Sequence, residues 1–279
     1  MRPGHLNGER AYIGGMDNNS KVAFLGLGAM GAPMARRVAD AGYPLTVWNR
    51  SAGKADGFAT VAGTPTEAVR DADVVVTMLA DPPAVRAVVG EFAGELKPGA
   101  VLVEASTIGP DAVREIAELL PAGVTLVDAP VMGSVDKAAS GELNLLVGGD
   151  ADEVMPLLEL FGTVRRTGAV GTGAALKIVM INAIVNGVAL VGEAYQLADV
   201  YGLPEELVKQ SLAGSPLAGL AARAAAEGAY YQVKLAAKDV DLAARAANLP
   251  IARTVHDRLT AYPQAADEDI AQLVRHFRG

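Results

Sequence analysis

Cysteine is absent from the 279 residues of the chain. Its absence excludes disulfide bonds, thiolate metal ligands and thiol nucleophiles, and it favours a reducing compartment, for which we predict the cytoplasm. Histidine is scarce as well. The chain has three, His5, His256 and His276, and they are too scattered in the sequence to indicate a metal site. We therefore expect no bound metal and do not place a histidine first among the catalytic candidates.

Blocks of basic residues are also missing, and the formal net charge is −8. This charge argues against nucleic acid and against an anionic membrane surface as partners. Apolar residues make up 51% of the chain and charged residues 20%, which is typical of a soluble protein with a large core. The polar, glycine-rich residues 1–19 lack the apolar core of a signal peptide and are interpreted as a flexible N-terminal extension.

The region from 21 to about 166 alternates between short apolar runs and helix-like stretches. This alternation predicts a mostly parallel sheet covered by helices on both faces. Beyond about 170 no strand pattern remains, so the rest of the chain is predicted to be helical. The expected helix breaks fall at four prolines, Pro204, Pro216, Pro250 and Pro263.

One apolar segment, 174–191, requires a choice between a membrane span and a core helix. Its 18 residues carry one charge, which is close to the ~20 apolar residues that span a bilayer. However, Lys177, Asn182 and Asn186 lie within it, and polar residues flank it closely. Because polar groups inside a membrane are costly, we interpret the segment as a buried inter-domain helix.

A glycine cluster follows the first predicted strand and opens the first predicted helix. It fits the pattern G-x-G-x-x-G, in which the first glycine permits a tight turn and the second lets the backbone approach a pyrophosphate. The third allows the helix to pack closely on the strand. In this context the pattern predicts a dinucleotide site rather than a merely structural turn. The six residues are Gly26, Leu27, Gly28, Ala29, Met30 and Gly31.

The end of the second predicted strand indicates which dinucleotide to expect. An NAD site places a carboxylate on the ribose 2′-hydroxyl ~20 residues further along the chain. Here that place holds Asn49, Arg50 and Ser51, with Lys54 nearby. Because these groups suit a 2′-phosphate, which a carboxylate would repel, the sequence predicts NADP(H) as cofactor. The alternative is that Arg50 and Lys54 are only solvated surface charges.

Lys177 is the only charged residue between Arg166 and Glu193. It follows the residues GTG, which predict a helix start, so it would lie near the positive end of an apolar helix. Burial and the helix dipole both disfavour the ammonium form and would lower the lysine pKa toward neutrality. Such a lysine can donate a proton to a carbonyl oxygen or accept one in the reverse direction. The pattern alone equally allows a snorkelling or salt-bridged lysine.

Five segments of the chain carry a resemblance to a known family. They are FLGLGAMGAPMA, STIGP (106–110), DAPVMGSVDKAASGELNLLVGG (128–149), GTGAALK (171–177) and KDVDLA (238–243). In combination, they resemble the β-hydroxyacid dehydrogenase superfamily, which includes 3-hydroxyisobutyrate dehydrogenases and glyoxylate/succinic semialdehyde reductases, with imine reductases as more distant relatives. The similarity runs from about 21 to 277. It implies an α/β Rossmann-type dinucleotide-binding domain at 20–170, followed by an all-α helical domain at 171–279 that begins with the long inter-domain helix.

The resemblance implies roles for individual residues. Lys177 would be the catalytic proton donor, and Lys238 would reach the cofactor from the helical domain, oriented by Asp239 on the substrate side. The nicotinamide end of the cofactor would lie beside Leu79, Ala80 and Thr107. An alternative for Lys238 and Asp239 is an exposed pair on an alanine-rich helix. Members of the family are usually dimeric or larger, so a homodimer or higher homo-oligomer is expected.

Two positions depart from the family pattern where the substrate is expected. The family's segment commonly has a serine that helps to hold a carboxylate, whereas this chain has Met132, followed by Gly133 and Ser134. After the lysine, the family's asparagine is replaced by Ile181, and Asn182 lies ~100° further around the helix. Both changes replace a polar group by an apolar one, and an apolar wall compensates a buried carboxylate poorly.

Three hypotheses follow. The first is an NADPH-dependent reductase that acts on a small carbonyl compound, namely an aldehyde, semialdehyde or keto acid, with a lysine as general acid. The second is an imine reductase that acts on a C=N bond in a largely apolar pocket. The third is a cofactor-binding protein without turnover, which the loss of the usual serine and asparagine keeps open.

Overall fold

The computed structural model describes residues 15–226 and 230–272. Within these ranges one sheet contains the strands β1 (Val22–Leu25), β2 (Leu45–Trp48), β3 (Val74–Thr77), β4 (Val101–Glu104), β5 (Thr125–Asp128), β6 (Val131–Met132), β7 (Leu143–Gly148) and β8 (Gly162–Gly168). Their order is β2-β1-β3-β4-β5-β7-β6, and β8 pairs with β7. All pairs from β2 to β5 are parallel, whereas β7 is antiparallel to β5 and β6.

Helices cover both faces of this sheet. They are α1 (Gly31–Asp40), α2 (Pro65–Val69), α3 (Pro82–Phe92), α4 (Gly109–Leu119), α5 (Val135–Ser140) and α6 (Met155–Phe161). Successive side chains of a strand point to opposite faces. Phe24 of β1 therefore packs with Met34 of α1 and Phe161 of α6, whereas Leu25 packs in a second core with Val85 of α3. The predicted parallel-dominated sheet with helices on both faces is confirmed.

The chain is helical after the sheet. The helices are α7 (Thr172–Val200), α8 (Glu205–Ala213), α9 (Ala218–Ala224), α10 (Val233–Ala246) and α11 (Pro250–Thr260). The four predicted breaks are confirmed, because Pro204 and Pro216 lie between helices, Pro250 begins α11 and Pro263 lies beyond its end. Buried residues of α7, α10 and α11, among them Val185 and Val240, form a third core. The fold class of an α/β domain followed by a helical region is confirmed.

Helix α7 has one buried and one exposed side. By length and composition it is long and apolar enough to cross a membrane, and 44% of its most apolar window is buried inside the protein. Val179, Leu190 and Leu197 share a face at helical spacing and are 66%, 52% and 53% exposed. The prediction of a buried helix is therefore correct for one side of α7 only.

The structure contains three short elements that the periodicity of the sequence does not predict. Strand β6 has 2 residues and helices α2 and α5 have 5 and 6, too few for a periodic signal. Residues 1–14 of the predicted extension lie outside the described residues, as do His5 and His276. Within the remainder of that extension, Met16 donates its backbone N–H to the Glu153 carbonyl oxygen at 3.1 Å and packs against the core.

Candidate active site

The glycine cluster forms the turn between β1 and α1. Gly26 has a φ of +103°, and a Cβ atom there would overlap the Met78 carbonyl oxygen. A Cβ atom at Gly31 would overlap the carbonyl oxygen of Gly26, so these two glycines permit the turn and the helix packing. Gly28 differs, because a Cβ atom at that position would meet nothing within 4 Å. The space beside Gly28, at the uncapped start of α1, fits a pyrophosphate.

Replacing Gly28 with alanine is expected to weaken cofactor binding without disturbing the fold. The added methyl group meets no protein atom and instead occupies the space next to the backbone that a pyrophosphate would approach. We expect the dissociation constant for the dinucleotide to rise about 10-fold, as measured by fluorescence titration. Gly90→Ala, which also adds a methyl group in open space, is the control. Equal affinity in both variants would place the pyrophosphate elsewhere.

Asn49 connects the end of β2 to the glycine turn. Its carboxamide oxygen accepts the backbone N–H of Leu27 at 2.8 Å, and its amide group donates to the Ser51 carbonyl oxygen at 2.9 Å. The Asn49 side chain thus stabilises the glycine turn through its own hydrogen bonds. The sequence pattern does not predict this function. Arg50, Ser51 and Lys54 lie exposed beside it. The structure therefore places a neutral amide at the glycine turn, and the exposed cations Arg50 and Lys54 follow it within five residues of the chain.

Lys177 lies in the second turn of α7 and is buried, with 8% of its surface exposed. Its ammonium group donates to the Val131 carbonyl oxygen at 2.8 Å and contacts the Met132 sulfur at 3.3 Å. Burial lowers the pKa of Lys177 to about 8. The negative charge of Asp239 opposes this decrease, and the positive charge of Lys238 adds to it. The direction of this shift agrees with the sequence-based expectation.

The predicted substrate segment lies against Lys177 through β6. Gly133, at a φ of +145°, leaves no room for a Cβ atom beside Leu143. Ser134 precedes α5, and its side chain lowers the pKa of Asp136. Within this segment, the Val131 carbonyl oxygen and the Met132 side chain both reach the lysine nitrogen. Ile181 follows Lys177 by one helical turn and is buried in the helical core.

Lys238 and Asp239 link the helical region to the sheet domain. The ammonium group of Lys238 lies 2.8 Å from the Asp239 carboxylate and donates to the Thr107 carbonyl oxygen at 2.5 Å. Their side chains are 19% and 3% exposed, so the alternative of an exposed surface pair is wrong. Tyr231 also donates its hydroxyl to Asp239 at 2.6 Å. Burial, followed by the Asp239 charge, raises the pKa of Tyr231 well above its ordinary value.

Asp128, a buried carboxylate at the end of β5, has a role that the sequence pattern does not predict. Its two oxygens accept the backbone N–H groups of Gly171 and Ala174, each at 2.7 Å. Burial raises the pKa of Asp128, and these hydrogen bonds oppose the shift. The carboxylate holds the start of α7 against the sheet and thereby positions Lys177. The only sequence signal is an acidic residue at the end of an apolar strand.

Glu104, at the end of β4, is a second carboxyl group that the sequence analysis does not single out. It is 1% exposed and accepts hydrogen bonds from the Thr77 hydroxyl at 2.5 Å and from the Ser106 backbone N–H at 2.7 Å. Ser106 in turn accepts the Leu79 backbone N–H at 2.8 Å. Burial raises the pKa of Glu104 to about 7. These contacts connect the loops that contain Leu79, Ala80 and Thr107.

The described residues contain no group of three or more His, Asp and Glu side chains that could hold a metal ion. His256 lies on α11 with Asp257, their side chains 3.3 Å apart. The contacts described above instead join the glycine turn, the ends of β3 to β6 and the helices α7 and α10. The chemistry available in this arrangement is that of a buried lysine that can donate or accept a proton at the substrate segment.

Comparisons with known proteins show which family the chain belongs to. The family described as the NAD binding domain of 6-phosphogluconate dehydrogenase matches residues 21–173. The NAD-dependent L-serine dehydrogenase of Pseudomonas aeruginosa is 34% identical over an alignment of 265 positions that covers 84% of this chain and 87% of the relative. The 3-hydroxyisobutyrate dehydrogenase of the same species is 32% identical over an alignment of 298 positions that covers 92% of this chain and 98% of that relative.

Solved structures extend the similarity to the whole fold. The 3-hydroxyisobutyrate dehydrogenase of Mycobacterium tuberculosis, solved with L-serine, gives a TM-score of 0.84 at 28% identity, over 94% of this chain and 100% of that one. An imine reductase from Pseudomonas sp. gives 0.60 at 23% identity, over 92% and 99%, and shares the fold alone. The chain therefore belongs to the β-hydroxyacid dehydrogenase family and is an NAD(P)-binding oxidoreductase that acts on CH–OH groups.

Proposed function

We propose that the protein is an NADPH-dependent reductase of small carbonyl compounds, in which Lys177 is the general acid. The observation that carries this proposal is the placement of one buried ammonium group against the substrate segment. An ammonium group has three N–H donors. One is directed to Val131 and one to the sulfur of Met132, so one donor remains for a substrate oxygen.

The preference for NADP(H) rests on the groups beside the glycine turn. Arg50 and Lys54 offer two positive charges, and Asn49 places a neutral amide where an NAD enzyme has a carboxylate. A 2′-phosphate is attracted by such a set and would be repelled by a carboxylate. The relatives include a protein named NAD-dependent, whereas Psf3, a structural neighbour with 25% identity, was solved with NADP⁺. The cofactor preference is therefore our proposal, supported by these charges.

The proposed reaction moves a hydride and a proton, and the cofactor and Lys177 each handle one of them. When bound, the nicotinamide supplies or receives the hydride. Lys177, with a pKa of about 8, is mainly protonated at neutral pH and can give its proton to the developing alkoxide oxygen. In the direction of oxidation, the neutral amine accepts the proton of the hydroxyl group. Asp128 and the Val131 carbonyl oxygen keep this nitrogen at the substrate segment.

The pH dependence of turnover should differ between the two directions. A general acid must be protonated, so we expect kcat for carbonyl reduction to be constant below about pH 8 and to fall above it. A general base must be neutral, so kcat for alcohol oxidation should rise through the same pH. Both profiles are measured by cofactor absorbance under saturating conditions. Parallel profiles in the two directions would contradict a lysine acid–base catalyst.

The apolar residues around Lys177 support our choice of substrate class. Met132 contacts the lysine nitrogen with a thioether, and Ile181, one helical turn further along α7, is a buried alkyl side chain. Neither group neutralises a carboxylate. We propose aldehydes, semialdehydes and keto acids as the substrate class, with weak dependence on a carboxylate group. Imine reduction is the second candidate, which these apolar walls favour, whereas a lysine placed to protonate an oxygen favours a carbonyl group.

A substrate panel tests this assignment. NADPH consumption is measured with glyoxylate, succinic semialdehyde, apolar aldehydes and cyclic imines, and NADH is tested in parallel. Turnover of carbonyl compounds with NADPH is the expected result, and turnover of cyclic imines alone would establish the second candidate. NADPH binding without turnover of any compound would support a cofactor-binding protein and contradict our proposal.

The exposed apolar face of α7 supports self-association. Val179, Leu190 and Leu197 of this helix are exposed. Leu203, just before α8, and Leu207, in its first turn, are exposed as well. Several exposed apolar side chains along one helix face are typical of a protein interface. We propose a homodimer or higher oligomer that covers this face, and light scattering would show a monomer if the proposal is wrong. The cytoplasmic location remains a prediction from composition.

A further inference from the structure

Glu104 connects the adjacent strands β3 and β4 at their carboxyl ends, which is the side of the sheet where ligands of open α/β folds bind. Thr77 and Glu104 are paired residues at the ends of β3 and β4. One carboxyl oxygen of Glu104 accepts the Thr77 hydroxyl at 2.5 Å, and the other accepts the Ser106 backbone N–H at 2.7 Å. Both oxygens are therefore used within the protein, and the side chain is 1% exposed.

A second set of contacts extends from this carboxyl group to the loops after both strands. The Ser106 hydroxyl accepts the backbone N–H of Leu79 at 2.8 Å. The neighbouring Thr107 carbonyl oxygen accepts the ammonium group of Lys238 on α10 at 2.5 Å. The Leu79 side chain also lies directly beside Gly26 in the glycine turn. One carboxyl group thus fixes the relative position of two loops and, through Thr107, of the helical region.

Burying an acid in this place is unfavourable on its own. Burial raises the pKa of Glu104 to about 7, the charge of Asp128 on β5 adds to the increase, and the hydrogen bonds from Ser106 and Thr77 oppose it. An apolar side chain would avoid the desolvation but could not accept either hydrogen bond. The unfavourable burial is consistent with a function in ordering the loops.

We propose that Glu104 is a positioning residue that holds the Leu79 loop and the Ser106–Thr107 loop against the nicotinamide half of the cofactor. Glu104 itself touches neither cofactor nor substrate, because its oxygens are occupied and buried. The inference rests on the proposed NADP(H) site. It assigns the adenine half of the cofactor to the glycine turn and the end of β2, where Glu104 makes no contact.

The test compares two ligands that share the adenine half. NADPH contains the nicotinamide, whereas adenosine 2′,5′-bisphosphate contains only the adenine half with its 2′-phosphate. For Glu104→Ala we expect the dissociation constant of NADPH to rise about 10- to 100-fold and that of the bisphosphate to stay within about 3-fold. Both constants are measured by calorimetric titration. Loss of both affinities together would show a general structural role and overturn the proposal.

Two further variants keep the test decisive if Glu104→Ala folds poorly. Ser106→Ala removes only the hydroxyl that accepts the Leu79 N–H, and it should weaken NADPH binding selectively. Glu104→Gln retains an acceptor for the Ser106 N–H and should restore most of the NADPH affinity. Glu118→Ala, on the exposed face of α4, is the control for removing a glutamate. Unchanged NADPH affinity in Ser106→Ala and Glu104→Ala would also overturn the proposal.

The same titrations separate this inference from the cofactor proposal. If the unmodified protein binds neither NADPH nor the bisphosphate, the proposed NADP(H) site is wrong. If it binds both, and the Glu104 variants lose affinity for neither, only the positioning role is wrong.

Discussion

Replacing Lys177 with alanine will lower kcat for carbonyl reduction by about 10²- to 10⁴-fold, the usual contribution of a general acid. The affinity for NADPH should remain, because the lysine nitrogen contacts Val131 and Met132 of the substrate segment rather than the glycine turn. Turnover is measured at saturating substrate and cofactor, and NADPH binding is measured by titration. Unchanged turnover would remove Lys177 from the mechanism.

Two other variants control this experiment. Lys177→Met retains much of the packing volume in α7 and should lose the same activity, which separates the lost proton donor from a cavity effect. Lys234→Ala removes an exposed lysine of α10 that pairs with Asp267, and it should retain full activity. If Lys177→Met were active while Lys177→Ala was not, the lysine would serve only in packing.

Replacing Asn49 with aspartate will reduce the preference for NADPH over NADH by about 100-fold. The new carboxylate can still accept the Leu27 backbone N–H, so the glycine turn should be retained. Its negative charge repels a 2′-phosphate and accepts hydrogen bonds from the hydroxyl group that NADH carries at the same position. A loss of about 2–3 kcal/mol is typical of a charge-assisted contact and corresponds to this factor.

The measurement is the ratio of kcat/KM values for the two cofactors. Asn248→Asp adds the same charge at an exposed position between α10 and α11 and should leave the ratio unchanged. An unchanged ratio in Asn49→Asp would show that the 2′-substituent does not lie beside this side chain. Arg50 and Lys54 would then be solvated charges, as the alternative interpretation holds.

The sequence predicted the fold class and most of its long elements from local patterns. Alternating apolar strands and amphipathic helices indicated the covered sheet, and the prolines Pro204, Pro216 and Pro250 marked the helix breaks. Elements of a few residues, such as β6 and α5, carry too little periodicity to be recognised. Even so, β6 provides the carbonyl oxygen of Val131 that binds Lys177.

The candidate site was predictable where function depends on local geometry. A glycine turn and a charge within an apolar helix are visible in a few consecutive residues, so Gly28 and Lys177 could be selected from sequence. Asp128, Glu104 and Tyr231 could not, because each acts on residues distant in the chain or is defined only by its burial. The positions of the other predicted site residues are now known, while their roles remain proposals.

The sequence by itself determined the succession of the longer strands and helices, the glycine turn and the selection of Lys177 as the candidate catalyst, since these depend on neighbours in the chain. Only the tertiary structure decided that Asp128 anchors the start of α7, that Lys238 reaches Thr107, and that one side of α7 remains exposed. Hydrogen bonds between distant segments and the pKa of a buried group depend on which surfaces meet. That information arises when the sheet and the helices pack together.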